Sequence, residues 1–439
     1  MILDRVRQEE IFSVEISGFT GEELRRKALE WAENRFGFLT FFNGNHARLA
    51  NPFYPYGPFP TRLAAGKMRE VPDGPDDPFD TLFRYHQAHP DFWIGFFGYD
   101  LKNRIESLSS RHPNRTGFPD LFFYQPVHLI DFDDESVTVR SWENPEQVWE
   151  EILKTRLPEP VTEGAAGGFT CRVSRDDYLK TVEKIRQHIL DGDVYELNYC
   201  IEFFRENARI RPADVYRHLN ERSPMPFSVY QKTGNRYLIG ASPERFLRKE
   251  RDRLISQPIK GTIRRGRNPE EDQALKEQLR NSRKEQAENL MIVDLVRNDL
   301  ARSSETGTVQ VGELFGIYGF PQVYQMVSTV TGSLKKALPF TEAVRNAFPM
   351  GSMTGAPKVR AMELIDLYEA SRRGLYSGAA GFITPDGDFD FNVVIRSILY
   401  NAGSGYLSFS VGSAITYDAE PQQEYEECLL KAQAILSVL

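Results

Sequence analysis

The sequence predicts an α+β fold in which antiparallel strands carry the core and helices pack outside them. Two observations predict it: strands and helices follow one another in mixed order, and several strands alternate apolar and polar residues, as antiparallel sheets do. The chain has 439 residues, 41% hydrophobic and 26% charged, so it can bury a large core. Length suggests roughly two or three domains, and the proline- and glycine-rich residues 157–168 are the clearest linker.

Composition and charge argue against several classes of function. The net charge is −8 and no long block of Lys or Arg occurs, so nucleic acid and anionic membranes are not expected partners. The N-terminus has no apolar signal region, and no stretch approaches the ~18 apolar residues of a membrane span, so we expect a cytoplasmic protein. Cys171, Cys200 and Cys428 lie far apart and indicate neither a disulfide framework nor a zinc site. We expect them to be reduced and buried or half-buried.

Two early segments predict strands. Residues 92–99 (FWIGFFGY) form a short apolar run broken by glycine, which favours a buried strand. Residues 194–204 alternate, with Tyr195 on the apolar face and Glu196 on the polar face. Further short strands are predicted at 378–384 and 405–411.

Three longer segments predict helices. Ser174 and Asp177 resemble a capping box, and apolar residues then recur at helical spacing as far as Ile189. A second long helix is predicted over residues 269–300 and a third over residues 422–439.

Lys260 lies in an otherwise uncharged run, residues 256–262 (SQPIKGT), between a proline and a glycine. A lysine held partly dehydrated favours its neutral amine, which can act as a nucleophile; a solvated turn lysine is the alternative. Glu244 follows the apolar strand 237–240, and the strand-like residues 253–255 precede Lys260, so the two side chains could face each other across a hairpin. As a general acid Glu244 would need a pKa raised by burial; a plain turn residue is the alternative.

Carboxylates on two predicted helices suggest a metal site. Glu288 precedes Ile292 by one helical turn and so lies on the stripe predicted to be buried, where carboxylates are rare unless paired or metal-bound. On the third helix Glu424, Glu427 and Lys431 share one face. One carboxylate from each helix could hold a hard cation, most readily Mg²⁺. An exposed face with a Glu427–Lys431 pair is the alternative.

Two further segments suggest anion binding. Residues 351–358 (GSMTGAPK) precede a helix predicted at 359–368 and would leave an exposed helix N-terminus, a natural anion site; a plain junction is the alternative. Arg396 ends the predicted strand 391–396 (FNVVIR). It is a candidate bidentate clamp for a carboxylate, with a rim salt bridge as the alternative.

Seven motifs, in this order, resemble those of the chorismate-utilising enzymes. They are SPERF, PIKGT, ENLMIVDLVRNDL, GSMTGAPKVRAMELI, SGAAGFI, VVIRS and EYEECLLKA, and the resemblance covers about residues 170–436. It implies an anthranilate synthase component I-like fold, a large antiparallel-sheet sandwich with outer helices. It also divides the chain into an N-terminal region, residues 1–160, and a chorismate-binding catalytic domain, residues 170–439, packed as one intertwined unit.

Lys260 sets the subfamily that the resemblance implies. Anthranilate synthase component I has alanine there (PIAGT), whereas aminodeoxychorismate synthase component I has PIKGT, as residues 258–262 do. The resemblance then implies that Lys260 attacks C2 of chorismate to form a covalent adduct while Glu244 protonates the departing C4 hydroxyl. Ammonia would add at C4 and expel the lysine. The product would be 4-amino-4-deoxychorismate, a precursor of para-aminobenzoate and folate.

The resemblance also implies a set of binding residues. Mg²⁺ would be held by Glu288 and Glu427, with Glu285 and Glu424 beside them, and would bind the ring carboxylate of chorismate. The residues expected around the substrate are Glu196, Gly261, Thr262, Thr354, Gly355, Arg396, Gly412, Ala414 and Lys431.

Three positions depart from the family pattern. The usual Gly-Ala-Gly reads Gly412-Ser413-Ala414, and Gln325 replaces a common histidine. Glu196 stands where water-adding relatives carry a lysine and amine-adding relatives usually a glutamine. A glutamate there argues against isochorismate or salicylate synthesis.

The implied partner is a separate glutamine amidotransferase subunit that delivers ammonia, because the sequence shows no glutaminase nucleophile-elbow cysteine with a matching histidine and glutamate. Three alternatives stay open. The chain could be an anthranilate synthase component I, a catalytically silent chorismate-fold protein that binds a glutaminase, or a generic α+β metabolite-binding protein.

Overall fold

The computed structural model describes residues 10–16, 18–46, 56–159 and 168–439. Within these ranges twenty strands join in one sheet, and every strand pair is antiparallel. The strands are β1 (Glu10–Glu15), β2 (Phe38–Asn43), β3 (Arg62–Glu70), β4 (Trp93–Phe97), β5 (Leu121–Phe132), β6 (Ser136–Ser141), β7 (Thr170–Cys171), β8 (Glu196–Arg205), β9 (Phe227–Thr233), β10 (Arg236–Ser242), β11 (Arg245–Glu250), β12 (Arg253–Gln257), β13 (Ile259–Arg264), β14 (Gln310–Gly319), β15 (Val323–Ser333), β16 (Gly355–Ala356), β17 (Ala379–Ile383), β18 (Phe389–Asn392), β19 (Ser397–Asn401) and β20 (Tyr406–Ile415).

Helices accompany the sheet along the whole described chain, and five of them begin with a proline, whose fixed φ and missing N–H suit the first helical turn. The helices are α1 (Gly21–Arg35), α2 (Pro78–Ala88), α3 (Pro145–Lys154), α4 (Arg175–Leu190), α5 (Pro212–Arg222), α6 (Pro269–Arg280), α7 (Arg283–Ser303), α8 (Phe340–Ala347), α9 (Lys358–Tyr368) and α10 (Pro421–Leu436). The predicted α+β class is therefore confirmed.

Capping side chains explain why one predicted helix begins where expected and why another predicted helix is divided in two. Helix α4 begins as predicted, since the Ser174 hydroxyl accepts a hydrogen bond from the Asp177 backbone N–H at 3.1 Å. The single helix predicted over residues 269–300 is wrong, because the structure divides it into α6 and α7. Ser282 caps α7 by accepting from the Glu285 N–H, and Asn281 ends α6. Such short polar side chains compete with the helical backbone and favour caps.

The polar face of β8 points into the protein rather than to solvent. Glu196, Asn198 and Glu202 are each buried, although the alternation of the sequence is that of a strand with one wet side. Tyr195, which was expected on the apolar face, lies outside the strand and is 73% exposed. A second layer of structure covers what the sequence presents as a solvent face, so the polar residues of β8 become interior groups.

The two sides of the predicted linker contribute to one sheet. β2 pairs with β9, and β4 pairs with β17 along its whole length. One hydrophobic core also takes residues from both sides, from Leu24 to Val438. Residues 160–167 of the predicted linker lie outside the described residues, so the domain boundary stays a prediction.

Two smaller expectations can be compared with the structure. Cys200 and Cys428 are buried, Cys171 is half-buried, and all three are free, as predicted. Among the described helices, none combines the length and the apolar character needed to cross a bilayer.

Candidate active site

Lys260 of β13 and Glu196 of β8 form an ion pair at the centre of the candidate site. Lys260 Nζ donates to Glu196 Oε1 at 2.7 Å, and the two side chains are 12% and 1% exposed. Burial alone would lower the pKa of Lys260, but the neighbouring carboxylates Glu196, Glu288 and Glu244 outweigh it and raise the pKa above its usual value. These surroundings favour the ammonium form of Lys260 rather than the neutral amine that the sequence suggests. The residues next to Lys260 in sequence are uncharged, and the counter-ion of Lys260 is Glu196, which lies on the distant strand β8.

Glu244 lies in the turn between β10 and β11 and has the environment that a general acid requires. Its side chain is buried, and Ser352 Oγ donates to Glu244 Oε1 at 2.6 Å. Burial raises the pKa of Glu244 to about 7, although Ser352 and Lys260 oppose the rise. The predicted hairpin is present, because β11 pairs with β12 and places Arg245 opposite Gln257, beside the chain that leads to Lys260.

Two helices present four carboxylates on the side of Lys260 and Glu196: Glu285 and Glu288 from α7, and Glu424 and Glu427 from α10. Burial, followed by mutual repulsion, raises the pKa of Glu288 to about 7 and raises those of Glu285 and Glu424. Burial acts in the same direction on Glu427, but Lys431, whose Nζ is 2.7 Å from Glu427 Oε1, lowers its pKa below the usual value.

Oxygen ligands of this kind, concentrated and partly desolvated, fit a hard divalent cation such as Mg²⁺, which would relieve their repulsion. The four carboxylates do not converge on a single metal position, however. Among the described residues no three acidic, histidine or cysteine side chains lie close enough to form a metal cluster. Two of the candidate ligands have lysine neighbours instead, since Lys284 Nζ is 3.9 Å from Glu288 Oε1 and Lys431 pairs with Glu427.

Lys431 joins α10 to the edge of the site on β20. Its Nζ donates to the Gly412 carbonyl oxygen at 2.8 Å, so the two predicted substrate contacts are brought together. Gly412 and Ala414 are half-buried on one face of β20, whereas Ser413 is buried on the other, where its hydroxyl is 3.0 Å from Tyr178 OH. The serine that departs from the family pattern therefore faces the helices, and Ala414 faces the same way as Gly412.

The segment 351–357 lies directly on the strand that carries Glu196. β16 pairs with β8, and a Cβ added at Gly355 would be 2.1 Å from the Glu196 carbonyl oxygen, so only glycine fits. The Thr354 hydroxyl is buried and donates to the Met350 carbonyl at 3.1 Å. The expectation that this segment opens an exposed helix N-terminus is wrong for Thr354 and Gly355, which β8 covers. Lys358, at the start of α9, pairs with Asp299 at 2.6 Å.

Arg396 does not end a strand, contrary to the prediction. β18 stops at Asn392, and Arg396 lies in the bend before β19 with φ at +49°, a region that non-glycine residues rarely adopt. Its guanidinium contacts Met225 Sδ at 3.9 Å, and burial lowers its pKa to about 10. Within the described part of the chain no carboxylate forms an ion pair with it, so a bound anion would stabilise it.

Gly261 and Thr262 follow Lys260 across a bulge in β13. Gly261 has φ at +93°, and a Cβ there would be 2.9 Å from Glu285 Oε2, so the glycine allows α7 to pack against the bulge. Thr262 is exposed and lies opposite Gln325 of β15.

Sequence reasoning missed two residues that hold the site together. Ser352 donates to Glu244, and Asn289 Nδ2 donates to the Met326 carbonyl at 3.3 Å and lies 3.5 Å from the Lys260 carbonyl. Each lies in or beside a motif that the sequence already singled out. Polar residues on the buried side of those motifs are the signal that could have found them.

A cavity of about 810 Å³ lies elsewhere, among residues that include Phe41, Arg62, Asp131 and Tyr216. None of the site residues described above lines it. The chemistry-bearing groups therefore define the candidate site, and this cavity does not.

Comparison with known proteins agrees with this arrangement. The profile of the chorismate binding enzyme family matches residues 71–437. An aminodeoxychorismate synthase of Streptomyces griseus is 38% identical over 79% of this chain and 50% of its own length. Aminodeoxychorismate synthase component 1 of Klebsiella aerogenes is 36% identical over 79% of this chain and 76% of its own length. The crystal structure of anthranilate synthase component I from Streptococcus pneumoniae TIGR4 superposes with a TM-score of 0.77 and 27% identity, covering 92% of this chain and 96% of that one.

The antiparallel sheet with its outer helices, and a buried lysine–carboxylate pair near a buried acid, are the fold and site of an enzyme. The chain belongs to the chorismate binding enzyme family. It spans about half the length of the Streptomyces griseus relative.

Proposed function

We propose that the chain is an aminodeoxychorismate synthase component I, which converts chorismate and ammonia to 4-amino-4-deoxychorismate for the synthesis of para-aminobenzoate and folate. One observation carries the proposal: Lys260 lies near enough to Glu244 for their charges to interact, and Glu244 is a buried acid whose pKa burial raises to about 7. An attacking amine and an acid for the leaving group are the two groups that amine transfer through a covalent adduct requires. Lysine at position 260 also favours this reaction over the anthranilate synthase reaction.

The chain's residues divide the work as follows. Lys260 attacks C2 of chorismate, and Glu244, held by Ser352, gives its proton to the departing C4 hydroxyl. Ammonia then adds at C4, and the bond between C2 and Lys260 breaks. Mg²⁺, if held by Glu288 and Glu427, would neutralise a carboxylate of the ring.

Two cations are placed to hold the substrate's carboxylates. Arg396 is half-buried without an acidic partner in the described residues, and Lys431 is fixed beside Gly412. An arginine in such a place gains the most from a bidentate anion.

The ammonia would come from a glutamine amidotransferase subunit. A glutaminase needs a reactive thiolate, and thiolates form where the pKa is lowered. Burial raises the pKa of Cys200 to about 12 and also raises those of Cys171 and Cys428, so none of the three suits that reaction. Ammonium salt should replace the partner in a test.

The test is to incubate the chain with chorismate, Mg²⁺ and an ammonium salt, and to identify the product by mass and absorbance. We expect 4-amino-4-deoxychorismate. Anthranilate or isochorismate as the product would overturn the proposal in favour of another family activity. No turnover, with chorismate still bound, would favour a silent binding protein.

A further inference from the structure

Glu196 is a buried carboxylate with one oxygen engaged and one free. Oε1 accepts from Lys260 Nζ at 2.7 Å, whereas Oε2 is buried and has no hydrogen-bond partner among the described residues. A buried carboxylate oxygen without a donor is costly, which indicates a donor that binds there during function.

The backbone at Glu196 is held in place by the neighbouring strand β16. Glu196 opens β8 and lies opposite Ala356 of β16, and the carbonyl of Glu196 touches Gly355 so closely that no Cβ fits. The backbone of Glu196 is therefore held between the two strands, and its buried side chain is anchored by the hydrogen bond from Lys260. A rigidly placed group is suited to proton transfer, which depends on a short and constant distance.

We propose that Glu196 handles both amines of the reaction: Oε1 takes the proton that Lys260 must lose before it attacks, and Oε2 receives an N–H of the incoming ammonia. Ammonia is small, donates hydrogen bonds and must reach the same ring that Lys260 reaches. Glu196 Oε2 meets those requirements, because it is an acceptor without a partner among the described residues and belongs to the carboxylate whose Oε1 is hydrogen-bonded to Lys260 Nζ.

The steps balance in protons and electrons. A proton moves from Lys260 Nζ to Glu196 Oε1, and the freed lone pair forms the bond to C2. The ring electrons shift, the C4–O bond breaks, and the hydroxyl leaves as water with the proton of Glu244. The ammonia lone pair then forms the bond to C4, and the electron pair of the C2–N bond returns to Nζ. Glu196 gives its proton back to Nζ, and the new ammonium group returns one to Glu244.

Several charged groups surround Lys260 and bear on its titration. Glu288 and Glu285 approach from α7, Glu244 from the turn after β10, and Glu427 from α10. All four stabilise the ammonium form, and none of these four carboxylates is hydrogen-bonded to Nζ. Glu196 is therefore the acceptor with the direct path.

The first experiment tests the pair without any reaction. Wild-type protein and Glu196→Gln are labelled with trace acetic anhydride across a range of pH, without chorismate, and labelling of Lys260 is followed by peptide mass spectrometry. Loss of an adjacent negative charge should lower the labelling midpoint by about one to three pH units. Glu202→Gln is the matched control, because Glu202 is a buried carboxylate on the same strand, paired with Arg172, and should leave the midpoint unchanged. An unchanged midpoint in Glu196→Gln overturns the pairing.

The second experiment follows the covalent adduct by intact mass after addition of chorismate and Mg²⁺ without ammonia. In the wild type the adduct should form at pH values well below the labelling midpoint of Lys260, since the proton stays within the pair. In Glu196→Gln the proton must leave to solvent, so adduct formation should follow that variant's labelling midpoint. The same pH dependence in both proteins overturns the proton-transfer role.

The third experiment tests ammonia binding with Glu196→Ala. The KM for ammonia should rise roughly tenfold or more while the KM for chorismate stays the same, because a hydrogen bond to a charged group is lost. Equal changes in both constants would indicate a merely structural role and overturn the ammonia site. The reaction proposed above underlies the second and third experiments. If wild-type protein forms neither adduct nor product, the proposed synthase reaction is rejected. The labelling experiment still tests whether Glu196 and Lys260 form an ion pair, because it needs no reaction.

Discussion

Lys260 and Glu196 are 64 positions apart in the sequence and 2.7 Å apart in the structure. Burial alone would lower the pKa of Lys260, but Glu196 and the other nearby carboxylates raise it above its usual value, which favours the ammonium form over the nucleophilic amine. Its reactivity then depends on a neighbour that can take the proton. The identity of residue 196 matters to the chemistry as much as the lysine does.

Lys260→Ala should form no covalent adduct with chorismate and should make 4-amino-4-deoxychorismate much more slowly. Alanine removes the attacking amine, and only direct attack by ammonia would be left. Intact mass and product formation measure the two effects. Lys249→Ala is the matched control, since Lys249 pairs with Asp388 at 2.7 Å away from the site and should keep the adduct. An unchanged rate in Lys260→Ala would rule out the nucleophile role.

Glu244→Gln should lower the rate by about 10²- to 10⁴-fold, the usual contribution of a general acid. In the wild type the acid must be protonated, and its pKa is about 7, so the rate should fall as pH rises through that value. The variant should lack this basic limb because glutamine does not titrate. Steady-state rates across pH check the prediction, and a limb that persists in the variant would assign it to another group.

Glu288→Gln should raise the Mg²⁺ concentration needed for half-maximal activity by about tenfold or more, as even the loss of an outer partner of a metal does. Because burial raises the pKa of Glu288 to about 7, protons should compete with the cation, and the wild type should need more Mg²⁺ as pH falls through that value.

Metal titrations of activity and of chorismate binding measure this requirement. Asp294→Asn, an exposed change on the same helix, is the control. An unaltered Mg²⁺ requirement in Glu288→Gln would contradict the ligand assignment.

Gly355→Ala should lower the free energy of unfolding by about 1–3 kcal/mol, because its Cβ would overlap the Glu196 carbonyl oxygen. Gly37→Ala is the comparison, since a Cβ there meets nothing within 4 Å and should change stability by at most about 0.5 kcal/mol. Chemical denaturation of both variants gives the difference. Equal stabilities would mean that β8 and β16 can move apart.

Local signals in the sequence predicted local structure well. The cap at Ser174, the alternation of residues 194–204 and the apolar run of residues 92–99 each depend on neighbouring residues, and the structure contains the helix and the two strands that they predict, although both faces of β8 are buried. Helical spacing of apolar residues continues across the boundary between α6 and α7, whereas the break there depends on the capping side chains of Asn281 and Ser282.

Features that depend on distant residues could not be predicted from one sequence. Nothing near Lys260 shows that a carboxylate from β8 will pair with it. The bend at Arg396 likewise depends on the sheet around it, whereas its sequence reads as a continuing strand. The catalytic candidates were found as types of residue, but their protonation states come only from their surroundings.

Strands that precede residues 160–170 pair with strands that follow them, and this pairing limits how the chain can be divided into fragments. A fragment that starts after residue 170 would lose β2 and β4 and would leave β9 and β17 each with a free side. All five residues of β17 are buried, so that side would be an apolar, unpaired strand edge. Such edges join to other chains, and the fragment is therefore expected to aggregate when expressed alone.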